Sequence, residues 1–213
     1  MKFNARTIQI LRNFASINEG MIFKPGHVIK TLSPTKSVMA KAVLENEIPQ
    51  SFAIFDIPQF LSAVSMFEDP ELTVKDTHME IGSGKEKLKF TFSAPNLIHS
   101  PSDKEIKIDD VDVEFDLKSD VLARTMKALS IIDAPCIAVT GDGQNVYLEA
   151  MDPDISTKST YRVPVSETDK SFRFVFKAEN LKLLQDDYHV RISGKGISHF
   201  KSADVEYWIA FLA

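Results

Sequence analysis

Four short segments of this chain share one layout, and that layout constrains the fold more than any single residue does. Phenylalanine followed by a polar residue opens Phe3-Asn4-Ala5-Arg6, Phe55-Asp56-Ile57-Pro58, Phe115-Asp116-Leu117-Lys118 and Phe176-Lys177-Ala178-Glu179. The phenylalanines lie 52, 60 and 61 residues apart, a period that marks a repeated supersecondary unit. Asn4, Asp56 and Asp116 are suited to cap a helix N-terminus, and Gln59 completes a capping box with Asp56. Pro58 fits only the first turn of a helix. The eight glycines fall into the same frame as four pairs: Gly20 and Gly26, Gly82 and Gly84, Gly141 and Gly143, Gly194 and Gly196. Each pair follows a helix candidate and lies between short segments that alternate in polarity, where hairpin turns demand positive φ. The alternation is plain in Leu88-Lys89-Phe90-Thr91-Phe92, Val111-Asp112-Val113-Glu114-Phe115 and Phe172-Arg173-Phe174-Val175-Phe176. Each unit therefore reads as strand, helix, then about three strands. The first is truncated, because only two residues precede Phe3.

The stretch Ala94-Pro95-Asn96-Leu97-Ile98-His99-Ser100-Pro101-Ser102-Asp103, rich in proline and polar residues, separates two units from two. The expectation is an α+β protein of two similar domains, residues 1–100 and 109–213, joined by a linker at 101–108. Four helices, one per unit, should cover one face of the sheets. No apolar run approaches the roughly 20 residues of a membrane span, and the N-terminus lacks the apolar core of a signal peptide. A soluble, intracellular protein is expected, with no membrane partner.

The chemistry-bearing residues assemble no catalytic constellation. Gly84-Lys85 and Gly194-Lys195 fail as phosphate loops, because Met79 and His189 stand where the first glycine belongs, and Glu86 and Gly196 where Ser or Thr belongs. The five histidines show no metal-ligand spacing. His189 and His199 fall on strands expected to be neighbours, but scattered surface histidines are the simpler reading. Asp152-Pro153-Asp154 lacks the glycine and glutamate of a calcium loop, and Cys136, the one cysteine, opens an apolar run with no base beside it. No metal and no cofactor are expected. Two alternatives stay open at this point: a metal-dependent phosphoesterase using Asp152 and Asp154, and a β-rich virion or assembly protein.

Charge is more telling. The chain carries 25 Lys and Arg against 30 Asp and Glu, a net charge of −5. Residues 1–107 have a net charge of +1 and residues 108–213 a net charge of −6. Such a balance argues against gripping nucleic acid by bulk attraction. The helix faces run the other way. At about 100° per residue, Ile8, Leu11, Phe14 and Ala15 share one side of the first helix, and Arg6, Gln9, Arg12, Asn13 and Ser16 the other. In the second, Ile57, Phe60, Leu61, Val64 and Phe67 point inward, leaving Gln59, Ser62, Ala63 and Ser65 outside. In the third, Leu122, Met126 and Leu129 point inward, and Asp120, Ala123, Arg124 and Lys127 outward. The fourth is short, with Lys177 and Lys182 beside Leu181 and Leu184. Among these outward positions the only acids are Asp120 and Glu179.

Three segments resemble a known family. Leu11-Arg12-Asn13-Phe14-Ala15-Ser16-Ile17-Asn18-Glu19-Gly20-Met21-Ile22-Phe23-Lys24-Pro25-Gly26 follows, almost without gaps, the opening helix and hairpin of the DNA polymerase sliding clamps of T-even-type bacteriophages. Residues 172–188 and the final Glu206-Tyr207-Trp208-Ile209-Ala210-Phe211-Leu212 are similar too. The resemblance spans the chain and is diffuse between residues 70 and 160. The family continues with a short acidic tail beyond the position of Ala213, so contacts made by that tail are not expected of this sequence. The resemblance implies a non-enzymatic processivity factor with the DNA-clamp fold: a homotrimeric ring with helices lining the hole. Such a ring encircles double-stranded DNA without sequence preference and tethers a DNA polymerase, and an ATP-dependent clamp loader places it. Family resemblance adds the transcription machinery as a partner and the cytoplasm of the infected bacterial host as the location. A topological hold on DNA also accounts for an acidic chain, since weak phosphate contacts suffice and allow sliding.

Residue expectations follow. Lys2, Arg6, Arg12, Arg124, Lys127, Lys177 and Lys182 should face the duplex. Leu88, Phe90, Thr91 and Phe92 of one lysine-guarded edge strand, and Tyr161 and Val163 of another within 156–163, should form the subunit contact. Val43, Leu44, Leu97, Ile98, Phe211 and Leu212 should form an apolar groove for a partner peptide.

Overall fold

The computed structural model describes residues 1–104, 106–155 and 157–211, and the chain divides into two units, Met1–Lys104 and Glu105–Ala213. The first repeat comprises α1 (Ala5–Ile17), β1 (Met21–Phe23), β2 (Gly26–Leu32) and β3 (Val38–Ile48). The second is β4 (Phe52–Ile54), α2 (Ile57–Val64), β5 (Glu71–Val74), β6 (His78–Ser83) and β7 (Glu86–Thr91). The third is β8 (Val113–Leu117), α3 (Ser119–Ile131), β9 (Cys136–Asp142), β10 (Asn145–Met151) and β11 (Tyr161–Glu167). The fourth is β12 (Ser171–Lys177), a short 3₁₀ turn (Ala178–Asn180), β13 (Tyr188–Ser193), β14 (Ile197–Lys201) and β15 (Val205–Ala210).

In each unit the two repeats exchange their opening strands. In the second unit β12 of the fourth repeat pairs with β9 of the third, giving the order β11-β10-β9-β12, while β8 of the third pairs with β13 of the fourth. In the first unit β4 of the second repeat pairs with β1 of the first. The return exchange is made by the residues read as too few for a strand. The Met1 ammonium donates to the Leu72 carbonyl of β5 at 2.7 Å, and the Leu72 N–H donates back to the Met1 carbonyl at 2.8 Å. Met1 thus extends the β5-β6-β7 sheet on its β5 side, and Phe3 meets the Phe60 ring edge-on at 6.3 Å.

The second glycine of every pair has positive φ: 108° at Gly26, 60° at Gly84, 87° at Gly143 and 91° at Gly196. Gly141 serves a different need: a Cβ there would lie 2.6 Å from the Lys170 carbonyl and 2.5 Å from the Phe172 ring. Here β12 closes against β9, and the close approach excludes any side chain.

The helices are anchored as their sequences require, with two corrections. α1 is capped by the Asn4 side chain, which accepts the Thr7 N–H at 2.7 Å, and α2 by Asp56, which accepts the Gln59 N–H at 2.7 Å. α1 buries Thr7, Ile10, Leu11, Phe14, Ala15 and Ile17, whereas Ile8 is only half-buried. α2 buries Ile57, Phe60, Leu61, Ala63 and Val64, so Ala63 turns inward rather than outward, and Phe67 lies beyond the helix end. α3 buries only Leu122 and Thr125, leaving Met126 and Leu129 half-buried.

The first correction concerns Asp116, which caps nothing: it sits in β8 and bonds His189 at 3.0 Å. The second concerns the fourth helix. Among the described residues there are three α-helices, and the fourth position holds only the 3₁₀ turn. Helical bonding is diverted there. The Leu184 N–H donates to the Tyr207 hydroxyl at 3.3 Å, and the Tyr188 hydroxyl donates to the Leu184 carbonyl at 2.8 Å. With Leu181 and Leu184 both buried, the segment gains its burial without a helix, and its polar groups still find partners.

Candidate functional site

The cations expected on the helix side are solvent-exposed, apart from half-buried Arg6. On α1, Arg6 donates from Nη1 to Gln9 Oε1 at 2.9 Å. Arg12 lines a shallow depression with Ala15 of the same helix and Pro58, Leu61, Ser62 and Ser65 around α2. The second-unit cations come from α3 and from the fourth repeat. Arg124 pairs with Asp120 one turn earlier at 3.0 Å, and Lys127 is exposed a turn further on. Lys177 pairs with Glu179 at 3.8 Å, and Lys182 is exposed beyond the 3₁₀ turn. Lys2 is paired with Asp69, whose carboxylate raises the ammonium above its ordinary pKa.

The start of α3 is fixed by a residue from the other repeat. The Ser119 N–H donates to Asp187 Oδ1 at 2.8 Å, while Lys118 pairs with Asp187 Oδ2 at 3.0 Å. Gln185 adds a bond from its amide to the Ser119 carbonyl. Asp187 thus acts as an N-cap supplied from outside the helix, 68 residues away in sequence. No local signal marks it, because capping patterns are read from neighbouring positions.

The strands expected to be edges are the outer strands of their sheets. β7 ends the order β5-β6-β7, and β11 ends β11-β10-β9-β12. On β7, Leu88 and Phe90 are half-buried, with Phe90 edge-on to Phe60 at 5.3 Å, while Thr91 is exposed. Phe92 lies just past the strand and stacks on Phe52 at 4.9 Å. Beside β7 runs a groove of about 530 Å³ lined by Phe55, Gln59, Ala63, Leu88, Phe90 and Ser93 among others. Phe55, read only as a helix-opening signal, is 57% exposed there. On β11, Tyr161 and Val163 are half-buried, and Ser156 of the expected segment lies outside the described residues. The Arg162 guanidinium lies 3.6 Å above the Tyr147 ring. Pro164, with no N–H to give, suits an outer strand.

The six expected groove residues separate into two kinds. Val43 (50% exposed) and Leu97 (62%) stand in solvent, and Val43 lies directly across from exposed Val28. Leu44 and Ile98 are buried. Ile98 packs over Gly20, where an added Cβ would come within 3.1 Å of its Cγ1. Asn18 holds the same segment by donating to the Leu32 and His99 carbonyls at 3.0 and 2.9 Å. Ile98 is therefore a staple for its segment, not an open anchor. Phe211 is half-buried against Phe174 and Phe176, at 5.2 and 5.1 Å, and Leu212 lies outside the described residues.

Of the two carboxylates considered for catalysis, that of Asp152 is otherwise engaged. Asp152 pairs with Lys158 at 2.8 Å and accepts the Asp154 N–H at 3.0 Å, and these contacts, Lys158 foremost, hold its carboxyl below the usual range. Cys136 is buried with Ala138 and Met151, and burial raises its thiol pKa. His189 faces Asp116 and Glu114, while His199 stacks on Trp208 at 4.7 Å and bonds Glu206 at 2.9 Å, so the two histidines serve different clusters. Among the described residues no group of three His, Cys, Asp or Glu is placed to hold a metal ion.

Comparison with known proteins decides what this arrangement serves. A family model described as DNA polymerase processivity factor matches residues 3–98, and one described as gp45 sliding clamp, C terminal, matches residues 114–213. The sliding clamp of Vibrio phage KVP40 is 34% identical, over 99% of this chain and 98% of the relative. The chain belongs to the sliding clamp family. The sliding clamp of Escherichia phage RB69 is 29% identical over 100% of this chain and 97% of its own length. The A. fulgidus PCNA solved with the C-terminal region of FEN-1 bound has the same fold, with a TM-score of 0.72 at 13% identity over 97% of this chain and 94% of that one.

As a sliding clamp, the protein is a non-enzymatic processivity factor that encircles duplex DNA and tethers the replicative DNA polymerase. The phosphoesterase and virion readings find no support. The polar contacts at Asp152 and Asp154 are local loop bonds of a clamp domain.

Proposed function

We propose that this sliding clamp closes as a head-to-tail homotrimer in which β7 of one copy pairs with β11 of the next. The observation that supports this reading is that β7 and β11 each end a sheet, one in each unit: two unlike edges on one chain make a heterologous contact, which closes into a ring when the rotation permits. Phe55, exposed beside β7, enlarges the contact beyond Leu88, Phe90, Thr91, Phe92, Tyr161 and Val163. Arg6, Arg12, Arg124, Lys127, Lys177, Lys182 and, at the margin, Lys2 face the duplex and make weak, sequence-independent phosphate contacts. An ATP-dependent loader opens and places the ring.

A partner peptide from the polymerase or loader docks on the exposed apolar residues Val43 and Leu97, through a few apolar anchors as in other peptide recognition. The PCNA bound to the C-terminal region of FEN-1 supports such a mode in a protein of the same fold. The transcription machinery is a further partner, and the cytoplasm of the infected bacterial host is the location. No described helix is long and apolar enough to cross a membrane.

The test is the native mass. The trimer gives about 72 kDa, three times the chain's 23.9 kDa. Phe55→Glu, at a position already exposed, should shift the mass to that of a monomer and leave far-UV circular dichroism unchanged. A trimer that persists in Phe55→Glu and also in Thr91→Pro would place the contact elsewhere.

A further inference from the structure

Several of the cations expected to meet DNA share a feature that their positions alone do not require. Lys2 pairs with Asp69, Arg124 with Asp120 at 3.0 Å, and Lys177 with Glu179 at 3.8 Å. In all three pairs both side chains are about half exposed or more, between 48% and 74%. Such pairs exchange readily with solvent and with competing ions.

We propose that these carboxylates are competitors for phosphate, which weaken the clamp's hold on duplex DNA and keep it mobile. The inference rests on the placement of these cations against the duplex. A lysine or arginine already neutralised by its own chain brings no net charge to a phosphate. To make the contact the pair must open, and the released carboxylate then faces the DNA and repels it. The number of phosphates effectively neutralised, and with it the number of counterions released, falls below the number of cations present.

Asp120 is the clearest case. It lies one helical turn from Arg124, so the two side chains meet on one face of α3. The carboxylate therefore travels with the arginine wherever the helix is placed. Glu179 does the same for Lys177 from two residues away, on a 3₁₀ turn rather than a helix. The arrangement recurs on different local structures, so helix propensity does not account for it.

The experiment is a salt titration of binding to a fluorescein-labelled duplex, read by anisotropy over a series of KCl concentrations. Asp120→Asn and Glu179→Gln should each raise affinity severalfold at low salt. Each should also steepen the slope of log K against log salt, by up to about 0.9 for every cation freed. Arg124→Ala added to Asp120→Asn should remove the extra slope, because the freed arginine is the cation that gained it. Glu179→Gln guards against an effect of Asp120→Asn on the first turn of α3, because it lies outside that helix. If the carboxylate variants leave the slope unchanged while Arg124→Ala flattens it, the competition is refuted and the DNA-facing placement stands. If neither the carboxylate variants nor Arg124→Ala and Lys177→Ala alter binding, the placement itself fails and takes the proposal with it.

Discussion

Lys118 has no side chain that can accept a backbone N–H, yet α3 starts directly after it. Asp187, from the fourth repeat, accepts the Ser119 N–H and pairs with Lys118. Those contacts, the Ser119 bond first and then Lys118, hold the Asp187 carboxyl below its ordinary value of 3.8. The sign follows from linkage: a carboxyl depressed in the folded state contributes stability above its unfolded pKa and loses it as pH falls through the folded pKa. Asp187→Ala should therefore be less stable than the parent by a constant margin at neutral pH, and the margin should shrink once pH drops below about 4. Asp187→Asn keeps an acceptor for Ser119 and should retain part of the protection of that amide in hydrogen exchange. A margin that does not change down to the acid transition would remove the assigned role. Residue-level reading of the sequence went to Asp116 instead, since a cap supplied from 68 residues away leaves no local pattern. Ile98 is ambiguous for a related reason. An isoleucine in a polar, proline-flanked stretch reads equally as an exposed anchor and as a staple, and only Gly20, far off in sequence, shows that it packs down.

At the scale of elements the repeat was legible because it is written in local chemistry. Three of the four phenylalanine-polar openings do precede α-helices, and the second glycine of each pair takes the positive φ that its turn needs. The exchange of opening strands between repeats was not legible, because strand partners are chosen by tertiary packing. The same holds for the missing fourth helix, where hydroxyls from Tyr188 and Tyr207 occupy the Leu184 backbone groups that a helix would use. Tyr207→Phe removes the acceptor for the buried Leu184 N–H and should cost about 1–3 kcal/mol, read from chemical denaturation. It should not increase helical circular dichroism, since Leu181 and Leu184 still need burial. A gain of helix in that variant would show that the hydroxyl alone holds the segment out of the helical form.

For the whole molecule, an excess of acid is compatible with work on DNA when retention is topological. A net charge of −5 would make a poor side-on binder under counterion-release thermodynamics. A ring needs only to stay closed, and the proposed competition of carboxylates for its cations would keep its phosphate contacts weak. The family was legible from the N-terminal segment and the layout together. The candidate site was legible only as a list of exposed cations, outer strands and apolar positions, and Phe55 and the carboxylate partners emerged from the fold.

The most direct measurement of this account follows clamps loaded on a closed circular duplex, at a salt concentration high enough to suppress phosphate contacts, before and after the circle is cut once. Topological retention predicts stable association with the intact circle and rapid loss from the ends after the cut. Clamps that leave the intact circle as fast as the linear form, or that stay bound after cutting, would contradict it.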